Sequence, residues 1–227
     1  MGCINSRSDR SQAELTLEVL ERNLLFRTNS SSDIDLYIRK YSHQGMINTN
    51  HWVNIVKNLN LNYTSTEIQD FFSQFGNEEG LVLNQILVLG ILNGNDSQET
   101  KARLLFEAFD IHDTKILDKE GLRLLYDTIF DGTVVKIRSL VKVVHQKDKE
   151  SECLVFLDKV GEKRKKFGRW FVKLFLEDQE SCSLNRFITC FRDEVAEDWL
   201  TPSGFRRALK EFKVKDKEEK SGKEVKE

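Results

Sequence analysis

Residues 104–130 read LLFEAFDIHDTKILDKEGLRLLYDTIF, and the fold turns on them. Leu105, Phe106 and Phe109 make one apolar helical face. Leu122, Leu125, Tyr126 and Ile129 make a second, at the i, i+3, i+4, i+7 spacing of an amphipathic helix. Between them runs a polar stretch that opens with Asp110 and carries the aliphatic Leu117 toward its far end. This pattern predicts a helix, a loop, and a second helix returning against the first.

Three further stretches repeat the arrangement. In residues 33–56, DIDLYIRKYSHQGMINTNHWVNIV, the entering face is Ile34, Ile38 and Tyr41. Gly45 and Ile47 mark the loop, and Trp52, Ile55 and Val56 begin the exit. In residues 66–92, TEIQDFFSQFGNEEGLVLNQILVLGIL, the entering face is Ile68, Phe72 and Phe75, with Gly80 and Val82 as loop landmarks. In residues 161–191, GEKRKKFGRWFVKLFLEDQESCSLNRFITCF, Phe167, Trp170, Phe171 and Leu174 enter, Leu184 is the landmark, and Phe187, Ile188 and Phe191 leave.

The order and number of these units resemble the EF-hand family, in which two helices flank a twelve-residue cation loop and units fold in pairs. The resemblance covers residues 31 to 197. It implies an all-α fold of four EF-hand-like helix-loop-helix units in two pairs, with additional N- and C-terminal helices. The expected divisions are 1–30, an acylated N-terminus and first helix; 31–93, the N-terminal pair; 94–199, the C-terminal pair with an inserted helix and linker at 131–160; and 200–227, a terminal helix and a disordered charged tail.

In that family, loop positions 1, 3, 5, 7 and 9 and a bidentate Glu at 12 supply the oxygens. Counted from Asp110, the candidate metal ligands are Asp110, His112, Thr114, the Ile116 carbonyl and Asp118. Position 12 is Gly121, with no carboxylate, and position 6 is Lys115, where a left-handed backbone costs a non-glycine residue about 1 kcal/mol. Calcium binding is therefore expected to be weak or lost, with one site at most. The first two loops fall short of twelve residues, and the fourth, taken with Leu184 at position 8, runs from Glu177 to Ile188 without an acid at its end.

The remaining signals concern address and partners. The opening MGCINSRSDR fits N-myristoylation at Gly2 with palmitoylation at Cys3, the second acyl chain making a stable anchor of a marginal one. Ser11 and Glu14 suggest a capping box ahead of the stripe Ala13, Leu17, Leu20 and Leu24. Residues 28–32 read as a first linker, Asn93 to Asp96 as an interlobe hinge, and Gln146 to Glu152 as a charged linker. Thr201-Pro202 starts a terminal helix bearing Phe205, Ala208, Leu209 and Phe212. The basic cluster Lys163 to Lys166 reads as a solvated helix start, with anionic lipid contact or nuclear targeting as functional alternatives.

Of 227 residues, 39% are hydrophobic and 32% charged, and the net charge of -2 excludes a global nucleic-acid footprint. Cys3, Cys153, Cys182 and Cys190 have no zinc spacing. No phosphate-cradling glycine loop, HExxH or GxSxG is present, and His43, His51, His112 and His145 form no triad. The reading is a non-catalytic, lipid-anchored, sensor-like signalling adaptor on the cytoplasmic face of a membrane, holding a protein target helix in an apolar groove. The alternative is a calcium-independent structural subunit of a membrane or cytoskeletal assembly.

Overall fold

Short polar residues ahead of apolar runs start most of the helices, each side-chain cap being worth about 1 kcal/mol. Ser11 caps α1 (Gln12–Arg22), Ser30 caps α2 (Ser31–Lys40), Asn48 caps α3 (Thr49–Asn58) and Ser65 caps α4 (Thr66–Ser73). After α5 (Leu83–Asn93), Ser97 caps α6 (Gln98–Phe109) and Asp118 caps α7 (Lys119–Phe130). The chain continues through a π-helical turn (Asp131–Lys136) into α8 (Arg138–Val141), α9 (Lys147–Gly161) and α10 (Arg164–Leu176). α11 (Leu184–Arg192), a 3-10 turn (Glu197–Leu200) and α12 (Pro202–Glu211), capped by Thr201, complete it. This computed structural model describes residues 11–142, 147–177, 179–192 and 197–212, and the fold is mostly helical.

Among the described residues, five short strands tie the loops together: β1 (Met46–Ile47), β2 (Gly76–Asn77), β3 (Gly80–Val82), β4 (Ile116–Asp118) and β5 (Ser181–Ser183). β1 and β2 flank β3 in one antiparallel sheet, and β4 pairs with β5 in another. Each sheet therefore joins two helix–loop–helix segments into a lobe. Buried aromatics fill both lobes, with Trp52 and Phe72 4.9 Å apart in the first and Phe175 and Phe187 4.8 Å apart in the second. Such pairs add about 0.5–1.5 kcal/mol beyond their burial. α5, apolar all round with residues 86–92 buried, runs through the centre and packs against α2, α6 and α7.

Several boundaries differ from the sequence reading. The landmarks shift by one or two residues: Ile47 lies opposite Leu81 rather than Val82, and Leu117 opposite Cys182 rather than Leu184, which instead opens α11. Residues 147–152 are not a linker but the first turns of α9. Asp148 and Glu150 suit the positive end of its dipole, and Cys153, Leu157 and Val160 bury one face. The supposed linker at 28–32 shrinks to Asn29 and Ser30, between a 3-10 turn (Phe26–Thr28) and α2, which begins at Ser31. The Asn93–Asp96 hinge is tied down, with the Asp96 carboxylate accepting from the Ser32 amide and hydroxyl, both at 3.0 Å.

Candidate functional site

The first lobe closes its loops as hairpins. His43 and Met46 exchange backbone hydrogen bonds of 2.8 and 2.9 Å around Gln44 and Gly45, both left-handed, so the turn twists with its strands. Asn77 and Gly80 pair directly, leaving Glu78 and Glu79 at an exposed tip. Gly80 has φ +140°, and a Cβ there would come within 2.3 Å of the Ile47 carbonyl oxygen, so only glycine fits between the strands. Both turns are structural closures with no carboxylates turned toward a common point.

In the second lobe, residues 110–121 form an open loop that satisfies itself. Asp110 Oδ1 accepts from the Thr114 amide and hydroxyl, each at 2.9 Å, and Oδ2 accepts from the Lys115 amide at 2.7 Å. Desolvation raises the Asp110 carboxyl, but these hydrogen bonds outweigh it and hold it below its usual range. The Thr114 hydroxyl oxygen also lies 3.2 Å from the Ile116 carbonyl oxygen, and Asp118 accepts from the Gly121 amide at 2.8 Å. Lys115 takes the left-handed conformation anticipated for position 6, φ 59°, and its ammonium lies 2.5 Å from Asp113. His112 is exposed.

The facing loop is held by a residue that the sequence reading did not single out. Arg186 projects from α11 and pairs with Glu177 at 2.8 Å, donating as well to the carbonyls of Phe175 (2.6 Å) and Leu174 (3.3 Å) at the end of α10. That hydrogen bond and charge draw the Glu177 carboxyl below its usual range. A guanidinium thus engages the acid counted as position 1. Neighbouring Cys182 is buried, which pushes its thiol up to about 12 and leaves it a packing residue.

As a calcium cage this pair of loops falls short. A hard cation wants six to eight oxygens. Asp110, Thr114, the Ile116 carbonyl and Asp118 supply four positions, His112 offers nitrogen, and Gly121 offers nothing. Among the described residues no cluster of three or more His, Cys, Asp or Glu side chains converges as a metal site.

The apolar face of the second lobe is covered by the chain's own C-terminal segment. Trp199 lies 5.5 Å from Phe167 and 5.3 Å from Trp170, Phe205 lies 6.0 Å from Tyr126, and Phe212 lies 5.2 Å from Phe167. α12 is fixed in turn by a buried ion triad. Arg206, 0% exposed, binds Glu14 at 2.9 Å and Glu21 at 2.6 Å, both on α1, and donates to the Thr133 carbonyl of the π turn at 3.0 Å. Burial raises the Glu21 carboxyl, an effect the guanidinium opposes. Glu14 is thus committed to Arg206 in place of a reciprocal bond in the capping box, although Ser11 does accept from the Glu14 amide at 3.3 Å. A second buried cation, Lys101, donates to the carbonyls of Leu92 (3.0 Å) and Leu200 (3.3 Å), joining α5, α6 and the terminal segment.

Gly2, Cys3, Val144, His145 and the tail 213–227 lie outside the described residues. His43 sits in the first hairpin, and the His51 ring lies 6.0 Å from that of Tyr41. No described helix is long and apolar enough to cross a membrane. Comparison with protein-family models, curated proteins and solved structures finds no match to this chain.

Proposed function

We propose that this protein is a non-catalytic adaptor built from two EF-hand-derived pairs, tethered to a membrane through acyl groups on Gly2 and Cys3 and indifferent to calcium. The antiparallel pairing of Leu117 with Cys182 between two helix–loop–helix segments carries this reading, because such strand-linked loops are how units of that family join. Retention of the frame without its ligands supports a calcium-independent role, with Lys115 and Arg186 closing the loops from within. The covered apolar face supports a closed resting form, in which a target helix must displace α12 or bind elsewhere.

Co-flotation of the myristoylated protein with anionic liposomes tests the reading, in chelator and in calcium. Wild type floats equally in both conditions, and Gly2→Ala stays behind. Release or recruitment by calcium refutes the indifference, and flotation of Gly2→Ala refutes the tether.

A further inference from the structure

A cleft of ≈ 1060 Å³ runs between α7 and α10 on the outside of the second lobe. Its floor is the buried ring of Tyr126 with Val172 and Leu176, and Gly168 lets α10 pack directly on that ring. A Cβ on Gly168 would stand 2.5 Å from Tyr126 Cε1. Lys119 and Arg123 rise from one wall, and Lys165, Arg169 and Lys173 from the other, all exposed.

Charge here is unbalanced. Of the lining acids, Asp127 is held by Arg164 at 2.9 Å and Glu177 by Arg186 at 2.8 Å. Arg164 is further committed to Asp131 at 3.0 Å. Among the described residues, the five remaining cations face Glu180 and one long contact, Arg123 to Asp127 at 3.8 Å. In a chain of net charge -2, this is a local concentration of positive charge and not a consequence of composition.

The spacing selects the ligand. Residues four apart on a helix rise about 6 Å, so Lys165, Arg169 and Lys173 form a ladder about 12 Å long, with Lys119 and Arg123 repeating the step opposite. A single phosphate engages one or two rungs, and a flat bilayer does not reach a recessed apolar floor. A helix carrying Glu or Asp at four-residue steps matches both ladders, and apolar residues on its adjoining face meet Tyr126, Val172 and Leu176. We propose that this cleft docks an acidic amphipathic helix of a partner protein. The proposal deepens the adaptor reading and rests on it, giving the partner a chemistry and a place that no residue of α12 lines.

The test is fluorescence anisotropy with the full-length protein in solution, where membrane tethering plays no part, so failure of the tether and failure of the cleft are read separately. The probe is a labelled helical peptide of about 16 residues, with Glu at i, i+4 and i+8 and Leu on the adjoining face; a second peptide has Gln for every Glu. Expected results are binding of the Glu peptide at about 10–100 μM in low salt, weakening with salt, and about tenfold or more weaker binding of the Gln peptide. The exposed triple variant Lys165→Glu/Arg169→Glu/Lys173→Glu, its helical content checked by circular dichroism, loses about tenfold or more, while Arg27→Glu/Lys57→Glu binds as wild type. Equal binding of the two peptides, no binding of either, or an unaffected triple variant overturns the proposal. So does preferential binding of vesicles containing phosphatidylinositol bisphosphate, or of single-stranded RNA, that the triple variant abolishes.

Discussion

Replacing Arg206 by methionine isolates what holds α1 and α12 together. Methionine keeps most of the buried aliphatic volume and removes the guanidinium, so Glu14 and Glu21 lose the donors that contact them at 2.6–3.4 Å. Breaking a buried pair by removing one partner costs about 3–5 kcal/mol, because an uncompensated charge stays in the interior. For a domain of this size that lowers the melting temperature by about 6–20 °C. Glu21, already raised by burial, then has nothing to draw it down, and the folded variant holds a proton that the unfolded chain releases. A carboxyl with a raised folded pKa contributes stability that is fully present below the unfolded value, about 4.3, and is lost as pH rises through the folded one. The deficit of Arg206→Met is therefore larger at pH 8 than at pH 5. Urea denaturation followed by tryptophan fluorescence at both pH values reads it, since Trp52 reports one lobe and Trp170 and Trp199 the other. The triple variant Glu14→Leu/Glu21→Met/Arg206→Met recovers most of the loss, as buried ion groups replaced by apolar ones of similar volume are often neutral or stabilising. A deficit below about 1 kcal/mol, or one equal at the two pH values with no rescue, refutes the reasoning.

Three further outcomes follow from the same geometry. Lys115→Gly relieves a left-handed backbone at φ 59°, and together with Gly121→Glu it supplies the missing carboxylate; calorimetry detects calcium binding in the double variant and none of comparable strength in wild type. Lys101 is buried, which lowers its pKa to about 8 against 10.5 when exposed, with Asp96 opposing the shift. The folded state therefore binds fewer protons between those values, stability from this group rises with pH across them, and Lys101→Met removes that rise from denaturation midpoints measured between about pH 8 and 10. Ending the chain before Thr201 uncovers Phe167 and Trp170 and increases fluorescence of a dye that binds apolar surface; unchanged dye binding with helical content intact shows that α12 covers nothing.

Local signals were legible wherever a residue acts on its neighbours. Ser11 and Thr201 cap the helices they precede, and Ala13, Leu17 and Leu20 bury one face of α1. Leu117 marks a strand because β4 alternates exposed, buried, exposed. Choosing its partner was harder: Cys182 is small and Leu184 is the more obvious hydrophobe, and register is set by the facing loop and not by side-chain size. The start of α9 is hidden because KDKESE looks solvated, though its acids favour a helix start and its apolar stripe begins only at Cys153. Arg206 and Glu14 stand 192 positions apart, and no local rule pairs two charges across that separation. Arg186 was hidden for a related reason, since one arginine on an exit helix says nothing about the carbonyls it will meet.

The π turn explains why the two ends lock where they do. Within it, Thr133 sends its hydroxyl to the Ile129 carbonyl at 2.7 Å, and its own carbonyl is available to Arg206 at 3.0 Å. Wide turns of this kind interrupt the regular ladder, and here the acceptor faces a buried cation. Opening the covered face then requires α12 to leave, which strands the triad at a cost of about 3–5 kcal/mol and confines the open form to about one molecule in 10²–10⁴. A ligand shifts such an equilibrium only by its differential affinity for the two forms, and on the proposed reading calcium has none. On the adaptor reading, a partner binding the exposed cleft between α7 and α10 incurs none of that cost, so the ladder of cations is the place where recognition is strongest. Charge reversal there weakens a partner without moving the urea midpoint, whereas Arg206→Met moves the midpoint and spares the cleft; a variant set in which both properties changed together would remove the distinction.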